Sequence, residues 1–117
     1  MALSDAQRQG LERLCEQFVP GSAAVGPAVY VEALIEQMPP GAGAFAVASI
    51  EELDAAEDLA DCAGTPAFGL VRALAIEAYY SDFVAPGRDA PGAWADIDFN
   101  SPLARRLARD FSWLGVA

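Results

Sequence analysis

"TPAFGLVRALAIEAYYSDFVAPG", residues 65–87, decides the fold class. Thr65 before Pro66 reads as a helix start, because a threonine hydroxyl can cap the free amides and proline's missing N–H costs nothing at the first helical position. Phe68, Val71, Leu74, Ala75 and Ala78 then recur at spacings of three and four, which predicts a helix over about 66–81 with one apolar face. Tyr79 and Tyr80 are successive, about 100° apart on that helix, so at least one of them must be peripheral. Two Pro-Gly pairs follow, in Val84-Ala85-Pro86-Gly87 and Asp89-Ala90-Pro91-Gly92, the pairing a type II turn wants. They predict a long, shaped loop near 83–100, pinned by Trp94.

The same signals recur upstream. Ser4-Asp5-Ala6-Gln7 is a capping box, and Leu11, Leu14, Cys15 and Phe18 share a face until Val19-Pro20-Gly21. Pro27 opens a second helix whose apolar stripe is Tyr30, Val31, Leu34, Ile35 and Met38, with Glu32 and Glu36 outside; Pro39-Pro40-Gly41 ends it. GAGAFAVA, residues 41–48, is open between a loop, a short helix and a close helix–helix contact. Ser49-Ile50-Glu51-Glu52 reads as a second capping box, starting a helix through Leu53, Ala56, Leu59 and Ala60 that closes at Cys62-Ala63-Gly64. Downstream, Asn100-Ser101-Pro102 repeats the cap-plus-proline signal before Leu103, Leu107 and Trp113.

Five helix candidates, no period-2 alternation and 25 alanines predict an all-α, single-domain bundle over residues 1–117. At 117 residues and 54% apolar composition, the chain can bury a core without staples. No fixed-period repeat suggests a solenoid.

The charge excludes some partners. Seventeen acidic residues stand against seven basic ones, all arginine, for a net charge of −10. Nucleic acids and anionic membrane surfaces need basic groups, so neither is expected as a partner. The start, MALSDAQRQGLERL, has no basic region followed by an apolar run, and no segment reaches the ~20 apolar residues of a membrane span. A cytoplasmic protein is expected, with Cys15 and Cys62 as small apolar side chains, although a disulfide between them stays open.

Chemistry is hard to find. The chain has no histidine, no phosphate-binding glycine loop and no C-x-x-C, so no catalytic, cofactor or metal ligand set is assigned. Asp96-Ile97-Asp98-Phe99-Asn100 imitates a calcium loop, but Ser101 stands where glycine belongs and Leu107 where the bidentate glutamate belongs. Glu51, Glu52, Asp54, Glu57, Asp58 and Asp61 read as one solvated helix face, with Glu57/Asp61 and Asp54/Asp58 four apart and the first acids complementing the dipole. Arg105, Arg106 and Arg109 are their natural counter-charges, within the fold or on a partner.

Tyrosine and tryptophan favour interfaces, and ordered loops often carry binding function. Tyr79, Tyr80, Phe83, Arg88 and Trp94 are therefore the candidate partner interface. The bland alternative is that these aromatics only cover the end of the bundle.

"FVPG", "YVEALIEQMP", "FGLVRALAIEAYYSDFVAPG" and a downstream "GAW" resemble the gluconate 2-dehydrogenase subunit 3 family. The resemblance covers most of the chain. It implies a helical small subunit that binds and stabilises a flavin-dependent oxidoreductase of the glucose-methanol-choline type. The FAD and catalytic bases then belong to the large flavoprotein subunit, and this chain holds no cofactor. Its loop, "APGRDAPGAW", departs from the Gly-Gly-Asn element common in the family. The start also lacks the twin-arginine signal of periplasmic members, which implies a cytoplasmic relative acting on a sugar, a glycoside or another alcohol. A stand-alone bundle that encloses an apolar small molecule, with Tyr79, Tyr80 and Trp94 at its mouth, is the alternative. An enzyme working through carboxylates and tyrosines alone ranks behind both.

Overall fold

The structure, a computed structural model, describes residues 2–88 together with Gly92, Leu114 and Gly115. Those residues form an all-helical bundle of four α-helices: α1 (Asp5–Phe18), α2 (Pro27–Gln37), α3 (Pro40–Ala55) and α4 (Pro66–Tyr80). Short 3-10 helices at Ser22–Val25 and Leu59–Cys62 join α1 to α2 and α3 to α4. Five helices were expected from the sequence; the fifth candidate, after Asn100, lies outside the described residues, as do the loop tip and Trp94.

Helix starts follow the predicted chemistry closely. At Ser4, Oγ accepts the Gln7 N–H at 3.1 Å and the Gln7 side chain accepts the Ser4 N–H at 2.8 Å, completing the capping box. Thr65 Oγ1 accepts the Phe68 N–H at 3.1 Å, with Pro66 in the first turn of α4.

The third helix departs from expectation at both ends. It starts at Pro40, not at Ser49, so GAGAFAVA is helical from its first residue. The proline that stops α2 is itself a good first helical residue. Ser49, expected as a cap, lies in mid-helix and is buried, where its hydroxyl donates to the Phe45 carbonyl at 2.7 Å. That bond to the preceding turn is the usual refuge of a serine inside a helix.

The C-terminus of α3 comes at Ala55, with extended backbone at Ala56, rather than at Cys62. The acids therefore crowd the negative end of the dipole, the reverse of the expected placement, and disfavour further turns. Asp58 offers a competing structure: its Oδ1 accepts the Ala60 N–H at 3.0 Å and caps the 3-10 helix. Gly64, at φ +88°, turns the chain into α4.

In the core, Leu11 and Leu14 of α1, Val31 and Ile35 of α2, Ile50 and Leu53 of α3, and Val71 and Leu74 of α4 meet. Burying each such side chain contributes about 1.5–3 kcal/mol. Ala46, Ala75 and Ala78 are buried among them and let the axes approach. The helices pack pairwise throughout, α3 lying against both α1 and α4. Phe18 and Phe68 meet edge to face at 5.1 Å, joining the end of α1 to the start of α4. Leu114 also belongs to this core.

Charges lace the helices from outside. Glu32, expected to face solvent, instead accepts from Arg8 Nε at 3.0 Å and from the Leu3 N–H at 2.8 Å. Arg13 Nη2 reaches both Asp54 oxygens at 3.1 Å, tying α1 to α3 beside Gly10. The outer face of α3 is different: Gly41, Ala44, Phe45 and Ala48 are exposed along it, Phe45 by 49%.

One backbone position leaves no room for a side chain. Gly26, which caps α2, has φ +66°, and a Cβ there would stand 2.7 Å from the Ala85 Cβ. Gly69, exposed in the first turn of α4, has nothing within 4 Å of such a Cβ. Chemical denaturation should therefore separate the two glycines. Gly26→Ala is expected to lose about 2–4 kcal/mol from left-handed strain plus overlap. Gly69→Ala is expected to gain about 0.5–1 kcal/mol.

Candidate functional site

The site predicted from the sequence begins where α4 runs out. Ser81 caps the helix, its N–H donating to the Glu77 carbonyl at 3.0 Å and its hydroxyl to the Ala78 carbonyl at 3.1 Å. Asp82 then takes the left-handed conformation, φ +66°, and its N–H donates to the Tyr79 carbonyl. This is the helix-ending geometry that glycine usually supplies and that aspartate tolerates better than most side chains. It throws the chain sharply inward.

Phe83 is consequently a core residue, 2% exposed, with its ring edge to face on Tyr30 at 5.4 Å. It braces the interior and is not presented for docking. Tyr79 and Tyr80 stand edge to face at 5.1 Å, and they divide as the helical angle requires: Tyr79 is half-buried, Tyr80 48% exposed.

Beyond Phe83 the expected Pro-Gly turn forms. The Arg88 N–H donates to the Ala85 carbonyl at 3.0 Å across Pro86 and Gly87, and Gly87 has φ +84°, as a type II turn demands. The Ala85 N–H donates to the Val25 carbonyl at 2.8 Å, and Arg88 Nη1 donates to the Ala23 carbonyl at 2.8 Å. Arg88 therefore fastens the loop to the bundle. The second predicted turn lies outside the described residues, except that Gly92 is buried.

Burial pushes the Glu12 carboxyl above the ordinary carboxylate value, against the opposing pull of the Ala28 N–H and of Arg88. Ala28 lies in the first turn of α2, which has no side-chain cap of its own, and its amide is among the helix-start N–H groups that favour a nearby negative charge. Sequence reading missed this influence because Glu12 and Ala28 are on different helices. Two other glutamates shift downward. Glu16 is lowered by N–H groups of Gly21 and Ala23, at 2.6 and 3.0 Å. For Glu32, burial pulls upward, but Arg8 and the Leu3 N–H outweigh it and leave the group low.

The acidic run does not assemble into a site. Glu51, Glu52 and Asp54 are on α3, Glu57 and Asp58 follow it, and Asp61 is in the 3-10 helix, so the expected four-residue pairs share no α-helical face. Glu51 accepts from Gln7 Nε2 at 2.9 Å. Among the described residues, no group of three or more potential ligands is placed to hold a metal, and no helix is long and apolar enough to cross a membrane. An open cleft of about 390 Å³ lies between the start of α1 and the end of α3, lined by Gln7, Ile50, Glu51 and Asp54 among others; Tyr79 and Tyr80 do not line it. Cys15 and Cys62 are free thiols, which settles the pairing left open by the sequence. Cys15 is buried and its thiol is pushed up to about 12 by burial, then by Glu12.

No protein-family model, curated protein or solved structure matches the chain.

Because thiolates are the reactive form, a disulfide reagent should label one thiol per native chain, at the half-buried Cys62, and a second only after denaturation. The lowered carboxyls give stability that is present above the ordinary carboxylate value and is lost as pH falls through their folded values. Glu32→Gln should accordingly lower the thermal midpoint at pH 7 and shrink its fall on acidification, as measured by circular dichroism.

Proposed function

We propose that this chain is a non-catalytic accessory subunit that binds and stabilises a cytoplasmic flavin-dependent oxidoreductase acting on a sugar, a glycoside or another alcohol. The observation that carries this reading is the tyrosine pair at the end of α4, with Tyr80 half exposed beside Tyr79. The pair lies within the stretch that most resembles the subunit 3 family. An aromatic that is held by a neighbour and still presents much of its surface suits a partner's pocket, since little side-chain entropy remains to be lost.

The division of labour follows from the residues. The partner brings FAD and the catalytic bases, and this chain, which has no histidine, brings shape. Phe83 and Arg88 hold the loop from beneath and from the side, Tyr80 and Trp94 make contact, and Tyr79 backs Tyr80. The acidic surface favours a partner with a basic rim, which speeds encounter more than it deepens affinity.

The test is purification of the tagged chain from its native host, followed by an absorbance spectrum and identification of what accompanies it. A stoichiometric flavin-bearing oxidoreductase is expected. Tyr80→Ala and Trp94→Ala should each weaken that complex roughly tenfold, the effect of truncating an anchor worth about 1–2 kcal/mol. A bait that emerges alone and colourless, or association unchanged in both folded variants, overturns the assignment.

A further inference from the structure

The outer face of α4 carries a pattern that packing within the bundle does not use. Gly69, Ala73, Ile76 and Tyr80 recur at spacings of four, three and four, the d-a-d-a rhythm of a coiled-coil seam. Gly69 and Ala73 are exposed, Ile76 is half-buried and Tyr80 half exposed, and the stripe lies opposite the buried Val71, Leu74, Ala75 and Ala78. Arg72 precedes Ala73 on one flank, at a g position, and Glu77 follows Ile76 on the other, at an e position. Both are exposed.

These two charges have no work inside the molecule. Arg8 pairs with Asp5 and Glu32, Arg13 pairs with Asp54, and Arg88 donates to the Ala23 carbonyl. Among the described residues, the side chains of Arg72 and Glu77 enter no ion pair and no hydrogen bond. They lie on opposite flanks of one helix and cannot meet each other. In a parallel pair of helices, by contrast, a g residue of one strand meets the following e residue of the other.

We propose that α4 packs parallel to the α4 of a second copy of this chain, about a two-fold axis that runs along the seam. Arg72 of each copy meets Glu77 of the other, Ile76 and Tyr80 meet their counterparts, and bare Gly69 lets the axes approach. One chain supplies both halves of the charge code, and this self-complementarity is what names a second copy as the occupant. An antiparallel pair would instead set Arg72 against Arg72 and Glu77 against Glu77. Because α4 is already folded against the bundle, pairing carries no helix-nucleation cost. Its 15 residues offer a seam only about 22 Å long, too short for the ~800 Å² per partner of a standard interface, so the dimer is weak, with a dissociation constant on the order of 0.1 mM. The pairing covers Tyr80, so a copy and a larger partner compete for the same aromatic.

Sedimentation equilibrium on the purified chain, from about 10 µM to 1 mM, reads this association. Physiological salt is the right medium, since a Debye length of about 8 Å screens the net charge more than a contact pair. The parent should dimerise reversibly. Arg72→Glu and Glu77→Arg should each weaken the dimer roughly tenfold, with thermal midpoints by circular dichroism unchanged because both positions are exposed. The two variants mixed together, and the double variant by itself, should recover the parent's affinity, because each restores opposite charges across the seam. Glu77→Arg is the sharpest case: it makes the chain less acidic, so net charge alone predicts tighter association and the charge code predicts looser. A parent that is monomeric at 1 mM, dimerisation that neither variant weakens, tighter association of Glu77→Arg, or a mixture of the two variants that stays apart would overturn the proposal.

Discussion

The bare, left-handed backbone at Gly26 is the point on which the rest of the bundle depends. Three events meet there: the 3-10 helix after α1 ends, α2 begins, and the loop leaving α4 passes over. Each requires backbone close to backbone. The Ala85 methyl crowds the space where a Cβ at residue 26 would be, so the seat of the loop and the start of α2 are one geometric fact.

Around that junction the molecule divides its polar work between local and long-range partners. Ser4, Asp58 and Thr65 satisfy amides of their own segments. Buried Ser22 donates to the Cys15 carbonyl at 3.0 Å, closing the end of α1, while Glu16 collects the two amides beyond it. Glu32 reaches across to Arg8 of α1 and to the Leu3 amide. A protein this acidic thus uses several of its carboxylates as backbone acceptors, not as free surface charge.

These two kinds of contact explain what the sequence could reveal. Caps act over three or four residues, so Ser4, Pro27 and Thr65 were legible, as was the turn at Pro86-Gly87. The start of α3 was misread because Pro39-Pro40 carries two meanings: it ends one helix and begins the next, and the Ser-x-x-Glu pattern at Ser49 drew attention to a false start. The end of α3 was misread because Gly64 is an obvious terminator, whereas the competition from Asp58 is subtle. In the candidate site, the split between Tyr79 and Tyr80 followed from helical angles alone. The burial of Phe83 did not, since it depends on Asp82 adopting a conformation that sequence associates with glycine. The anchoring of Arg88 depends on a carbonyl 65 residues away.

The outer face of α3 has a colloidal consequence. From Gln37 to Ile50 the chain carries no charged side chain, and Gly41, Ala44, Phe45 and Ala48 lie in the open. In a neutral protein such a surface invites self-association. Here the net charge of −10 opposes that association through mutual repulsion. The abundance of acid is thus what lets this chain carry bare apolar helix surface in water, and that tolerance vanishes near pH 4.1, where the charge falls to zero.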